Sequence, residues 1–144
     1  MAKAFPNSQF IGYDFHPSSI EHAQAHACEH DVVLNTRFAA ATAQKYPENG
    51  FDLVAFFDCL HDMGDPVGAA AHVRQSLKPD GSWMIVEPMA GDRLEYNLNP
   101  VGRIYYVAST VGCIATSLVQ EVGAALTRRR GAAVPRIRPA PCPR

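Results

Sequence analysis

The sequence predicts an α/β fold, a mostly parallel sheet with helices on both faces. Two observations carry that expectation. Short apolar runs alternate with helix-like patterns along residues 9 to 86, and the run Phe51-Asp-Leu-Val-Ala-Phe-Phe57 is almost continuously apolar. Such a run suits a strand covered by helices on both sides. With 144 residues, 47% apolar and 19% charged, the chain has the balance of one soluble packed domain with a core of its own.

Gln9-Phe-Ile-Gly-Tyr13 is the first strand, ending at Asp14. Pro17 can occupy the first turn of a helix but not its interior, so strand gives way to helix there. Ser18 and Glu21 have capping-box spacing. Ile20, Ala23 and Ala27 mark a buried stripe, Glu21, His22, Gln24, His26 and Glu29 a wet face, and the helix ends near His30. A second strand starts at Val32-Val-Leu34 and runs through Thr36 to Phe38. The small residues from Ala39 to Gln44 then leave room for a ligand near the backbone. A loop with Tyr46, Pro47, Asn49 and Gly50 leads to Phe51–Phe57, the expected central strand.

Asp65 can cap the next helix, with Pro66 in its first turn and Pro66, Ala70, Val73 and Leu77 at inward spacing. Lys78-Pro-Asp-Gly81 stops that helix, and Trp83-Met-Ile-Val86 is the fourth strand, delivering Glu87 and Pro88 at its end. Right-handed crossovers would gather Asp14, Ala41 to Ala43, Asp58 to His61 and Glu87 beyond the carboxyl ends of the strands, where such sheets hold ligands. Asn97 to Leu126 reads as helical segments interrupted at Pro100, Gly102 and Gly112. From Thr127 the composition turns to Arg and Pro, which predicts a domain over residues 1–126 and an unpacked tail over 127–144.

Charge and cysteine usage narrow the function classes. Residues 1–126 carry 14 acids and 7 bases, and the tail carries no acids and 6 arginines. An acidic body with a basic tail lacking aromatics argues against specific nucleic-acid binding. Cys28, Cys59, Cys113 and Cys142 lie far apart without a C-x-x-C pair, which fits reduced thiols in a cytoplasmic protein. No signal peptide is expected, and Val101 to Leu126 is too polar for a membrane span. His22, His26 and His30 repeat at i, i+4 but lack a third ligand, so no metal is expected.

Two uses fit Asp14 from residue types alone. It could cap the helix at Pro17, or it could accept hydrogen bonds from both hydroxyls of a ribose, as carboxylates at strand ends of nucleotide-binding units do. Chemically, a neutral imidazole such as that of His61 can take a proton near neutral pH, and Glu87 could orient it. Asp58 fits either a ligand-facing residue or a loop start.

Phe-Ile-Gly-Tyr-Asp14, Pro17-Ser-Ser-Ile-Glu21-His-Ala, Phe51-Asp-Leu-Val54, Leu77-Lys-Pro-Asp-Gly81 and Ile85-Val-Glu87 together resemble the class I S-adenosylmethionine-dependent methyltransferases over roughly residues 1 to 95. The Leu-Lys-Pro-Asp-Gly turn before a strand is the most specific element. The resemblance implies a Rossmann-like fold, S-adenosylmethionine as cofactor and methyl transfer to a small-molecule acceptor. It makes Asp14 the ribose ligand and Phe15 a neighbour of adenine. Thr42 and Ala43 fall where the family has Asp-Ala at the adenine amino group, and Phe57 and Asp58 fall beside the methionine portion. Asp58-Cys-Leu-His61-Asp-Met-Gly-Asp-Pro66 looks like the His-Asp segment of small-molecule O-methyltransferases, where the histidine deprotonates the acceptor hydroxyl. Many methyltransferases keep a histidine here without that duty.

The sequence also departs from the family. No glycine-rich loop precedes Asp14, the strand that would come before it is not visible, and the last two strands are not visible either. A fold truncated at both ends is therefore expected. Its bare strand edges would pair with a second copy or a complementing chain, or aggregate, and this weighs against activity of the chain alone. The competing readings are a non-catalytic interaction module and a piece of an NAD-dependent dehydrogenase, which shares the acid after the strand. Out-of-frame reading of a GC-rich gene would account for the Arg/Pro tail. Sequencing the DNA tests this: an alternative frame beyond codon 126 should encode alternating, strand-like segments, and their absence from both other frames refutes the idea.

Overall fold

The computed structural model describes residues 1–123 apart from 92 and 121. The expected 127–144 tail lies outside the described residues, as does the stretch from 124 to 126. In chain order the elements are β1 (Phe10–Asp14), α1 (Pro17–Glu29), β2 (Thr36–Ala40), β3 (Phe51–Phe57), α2 (Pro66–Ser76), β4 (Leu77–Val86), α3 (Pro100–Ala108) and α4 (Ile114–Leu118). Strand pairing among the described residues is parallel, and the α/β class read from the sequence holds. The strands form two separate pairs, β1 with β2 and β3 with β4.

In the first pair Gly12 lies opposite Phe38. A β-carbon at Gly12 would sit 2.6 Å from the Phe38 ring, so the glycine serves packing within the pair. The α1 helix starts at Pro17 with His16 as N-cap and no side-chain capping bond, which corrects the expected Ser18/Glu21 box. With proline fixed at the first helical position, Ser18 is already inside the helix and its hydroxyl is two positions too late to cap. The C-terminus falls at His30 as expected, and Asp31 follows in the left-handed region at φ 54°.

The second strand starts later than the sequence suggested. Residues 32 to 35 are a turn: the Val32 amide closes on the Ala27 carbonyl, and the Asn35 amide closes on Val32. Asn35 is buried, and its side-chain nitrogen donates to the carbonyls of Ala2, Phe5 and Ser8, tying down the amino-terminal turns. That polar anchor overrides the strand propensity of Val32-Val-Leu34, and Leu34 is left exposed.

In the second pair β3 is bonded on one edge only among the described residues, so the expected central strand is not enclosed by them. Leu53 and Phe57 are about half exposed, as are Ile85 and Val86 of β4. Packing is one-sided. Phe56, Leu60, Ala69 and Val73 form the core, flanked by Ala43, Val54, Cys59, Met63, Leu77 and Trp83. The Asp65 cap of α2 is as expected, its carboxylate accepting from the Gly68 amide at 2.8 Å, and Pro66, Ala70 and Val73 are buried, but the helix ends at Ser76 and Leu77, expected on its inward face, opens β4 instead. Lys78-Pro-Asp-Gly81 is a bulge within β4, since Phe51 pairs with Leu77 while Leu53 already pairs with Ser82. A β-carbon at Gly81 would meet the Phe51 carbonyl at 2.7 Å, which explains the glycine. Residues 94 to 118 are helical, as the sequence suggests. Gly102 lies inside α3, however, under an Asn99 cap (2.8 Å), and Gly112 lies in a π-helical turn, Ser109–Cys113.

The loop before β3 joins the two strand pairs. Tyr46 is buried, stacks on Tyr13 of β1 at 5.1 Å, meets Phe51 of β3 edge-on at 6.0 Å and meets His72 of α2 edge-on at 4.2 Å. Its hydroxyl bonds Ser76 Oγ at 2.6 Å, and its carbonyl accepts from His72 Nε2 at 2.8 Å. Burial raises the pKa of both phenols, and the Tyr13 hydroxyl donates to Glu48, so the stack is a neutral one. Tyr46→Ala is expected to destabilise the chain by about 3–5 kcal/mol, the scale of aromatic truncation in a core. Tyr46→Phe should cost only about 1 kcal/mol, the worth of one hydrogen bond. Urea unfolding followed by circular dichroism measures both.

Candidate functional site

Each strand pair presents a group of polar residues at its carboxyl end. In the first pair the Ala41 amide donates to the Asp14 carbonyl at 3.0 Å, which brings Asp14 beside the Ala41-Thr42-Ala43 segment. One Asp14 carboxylate oxygen accepts from the His16 amide at 2.7 Å. The acid therefore shapes the turn into α1 while its second oxygen stays open to a ligand, so both uses read from the sequence are compatible. Phe15 is 58% exposed and its ring leans on His16 at 3.9 Å, leaving the opposite face open. Thr42 is exposed, whereas Ala43 packs against the core formed by Phe56 and its neighbours, so only Thr42 of this pair faces outward.

In the second pair the Asp58 amide donates to the Val86 carbonyl at 2.7 Å, placing Asp58 next to Glu87. Asp58 adopts φ 52°, a left-handed conformation for a non-glycine residue, and thereby turns the chain out of β3 into a short 3-10 turn, Leu60–Asp62. Phe57 is 55% exposed at the same rim. Glu87 reaches back into the turn. Its Oε1 accepts from the Leu60 amide at 2.8 Å, and its Oε2 contacts His61 Nδ1. In the neutral tautomer with its proton on Nδ1, the ring donates to this carboxylate and carries its lone pair on Nε2.

Further residues surround Nε2 that the sequence reading did not assign to the site. Asp62 Oδ1 lies 3.2 Å from Nε2 and, although shut off from solvent, has no hydrogen-bond partner. Cys113, from the π-helical turn, brings its thiol to the same spot. Burial first, and then the Asp62 carboxylate, push that thiol up to about 11. The helical segment is bolted to this loop. Gln120 donates to the Asp62 carbonyl (2.9 Å) and accepts from the Gly64 amide (2.8 Å), and the Ser117 hydroxyl donates to the Met63 carbonyl (2.9 Å). A cysteine more than fifty residues from a histidine gives no spacing signal in the sequence.

Residues 1–83 match the family described as "Methyltransferase domain". The chain belongs to this family. Among curated proteins, the rat mitochondrial arginine-hydroxylase NDUFAF5 is 33% identical over 92 residues, 64% of this chain and 26% of that protein. The chain thus spans about a quarter of that relative's length. Among solved structures, the YcgJ protein from Bacillus subtilis aligns at TM-score 0.58 and 27% identity, over 76% of this chain and 45% of that one. The [4+2]-cyclase SpnF aligns at 0.53 and 26%, over 60% and 34%. The mitomycin 7-O-methyltransferase MmcR, at 0.63 and 17% over 85% and 32%, shares the fold. The family fold therefore hosts more than one chemistry, and the residues at the strand ends must decide which.

Glu87→Ala is expected to lower stability by about 2 kcal/mol, because it strips a partner from the Leu60 amide and from His61 at once. Glu87→Gln, whose amide oxygen still accepts from Leu60, should lose roughly half as much, again read from urea midpoints.

Proposed function

We propose that this chain contributes to S-adenosylmethionine-dependent methyl transfer onto a hydroxyl of a small-molecule acceptor. The observation that carries the proposal is the Glu87–His61 contact at the carboxyl end of the β3–β4 pair, in a chain of the methyltransferase-domain family. S-adenosylmethionine, the donor this family implies, would supply an electrophilic methyl group when bound. The described residues fit its adenosine half. Asp14 offers an open carboxylate oxygen to a ribose at a parallel strand end, Phe15 offers a bare aromatic face, and Thr42 offers a hydroxyl where an adenine amino group would lie. Phe57 and Asp58, at the end of β3, would lie beside the cofactor's methionine portion.

In this reading His61 Nε2 takes the acceptor proton while Glu87 holds Nδ1–H and stabilises the imidazolium that forms. The neighbouring Asp62 carboxylate adds negative charge beside the same ring. The cytoplasm remains the proposed location. No helix among the described residues is long and apolar enough to cross a membrane.

A second reading has its own support. The half-exposed Leu53, Phe57, Ile85 and Val86 and the separation of the two strand pairs suit a module that is completed by another chain. Calorimetric titration of the purified chain with S-adenosylhomocysteine and with NAD separates the possibilities. Heat is expected from the first ligand only, weakened about tenfold or more in Asp14→Ala, because a hydrogen bond to a charged group is worth about 1.5–3 kcal/mol. No heat from either ligand, with a folded circular dichroism spectrum, refutes the methyl-transfer reading and favours the module. Heat from NAD would assign a dehydrogenase.

A further inference from the structure

We propose that His61, Asp62 and Cys113 form a binding site for a single zinc ion, with Glu87 as the carboxylate that orients the histidine. The ligand atoms of the three residues all lie within 4.8 Å of one another. The 3.2 Å between His61 Nε2 and Asp62 Oδ1 is close to the edge of a tetrahedron with metal–ligand bonds of about 2.0–2.1 Å. Cys113 supplies the third donor, which leaves the fourth position open.

Three physical features favour a cation there. First, the buried Asp62 Oδ1 lies 3.2 Å from His61 Nε2 without a hydrogen bond between them. Two electron-rich atoms at that distance repel unless something positive lies between them. Second, the arrangement of carboxylate, imidazole and open Nε2 is the outer-shell pattern that fixes metal-ligating histidines. Third, imidazole, thiol and carboxylate together suit zinc, whereas magnesium and calcium prefer oxygen alone.

The scaffold is built rather than incidental. Cys113 reaches the site from a π-helical turn, a distortion that recurs at functional sites. The bonds from Gln120 and Ser117 fix that segment to the loop carrying His61 and Asp62. The histidines of α1, with His26 and His30 ring centroids 6.4 Å apart, are the competing zinc ligands on this chain. The inference does not rest on the methyl-transfer reading. Zinc on Nε2 would bar that nitrogen from accepting a proton, so the two uses of His61 belong to different states of the protein.

The test is cobalt(II) and zinc binding to the full chain. Titration with cobalt(II) should give the intense visible bands of a tetrahedral ion together with a near-ultraviolet thiolate charge-transfer band, saturating at one equivalent and displaced by zinc. Cys113→Ser should remove the charge-transfer band, Asp62→Asn should weaken binding about tenfold or more, and Glu87→Gln should weaken it by about 10–100-fold, the range for loss of such an outer partner. Cys59→Ser, Cys28→Ser and the triple variant His22→Ala/His26→Ala/His30→Ala should leave the spectrum unchanged. Absence of a charge-transfer band in the unaltered chain overturns the proposal without recourse to any variant. So does a band that survives Cys113→Ser or vanishes in the triple histidine variant.

Discussion

Tyr46 is the interaction on which the rest depends. The two strand pairs share no ladder, so main-chain hydrogen bonding does not fix one against the other. A single buried aromatic residue contacts β1, β3 and α2, and its two oxygens are tied to Ser76 and His72. Side-chain packing here takes the part that a continuous sheet ordinarily plays. The polar groups at the two carboxyl edges share a common frame through this residue, with Ala43 against the Phe56 core and the Gln44 bond to the Asp65 carbonyl (3.1 Å) beside it.

Within that frame the chemistry divides. The Asp14 edge is simple: one carboxylate, one exposed ring and one hydroxyl, each at a strand end or just beyond it. The His61 edge is dense, with three carboxylates, an imidazole and a thiol gathered around one short turn. Charge of one sign in a half-buried place costs free energy unless it is balanced, so this edge is poised to take up something positive, whether a proton or an ion. The Glu87 carboxylate does most to set that balance, because it bonds the backbone of the turn and the histidine together.

The fold class, the α2 helix with its Asp65 cap and the strand from Phe51 to Phe57 were legible because local signals and tertiary context agree there. The early start given to β2 failed because Asn35, a polar residue with no hydrophobic period to announce it, is captured by three distant carbonyls. The capping box at Ser18 failed because Pro17 sets the helix start by geometry rather than by hydrogen bonding. At the site, His61 and Glu87 were readable as a strand-end pair. Asp62 and Cys113 were not, since their meeting is produced by how a distant helical segment docks.

The π-helical turn at Ser109–Cys113 gives this docking a particular character. Such a turn is an α-helix with one residue inserted, and each residue of an α-helix advances the side-chain direction by about 100°. Loss of a single residue there would regularise the helix and swing the Cys113 sulfur off the histidine, while the strands and the Tyr46 packing stayed in place. The third donor at this edge is thus a feature that one codon's insertion or deletion can add to or remove from the lineage, independently of the fold that carries it.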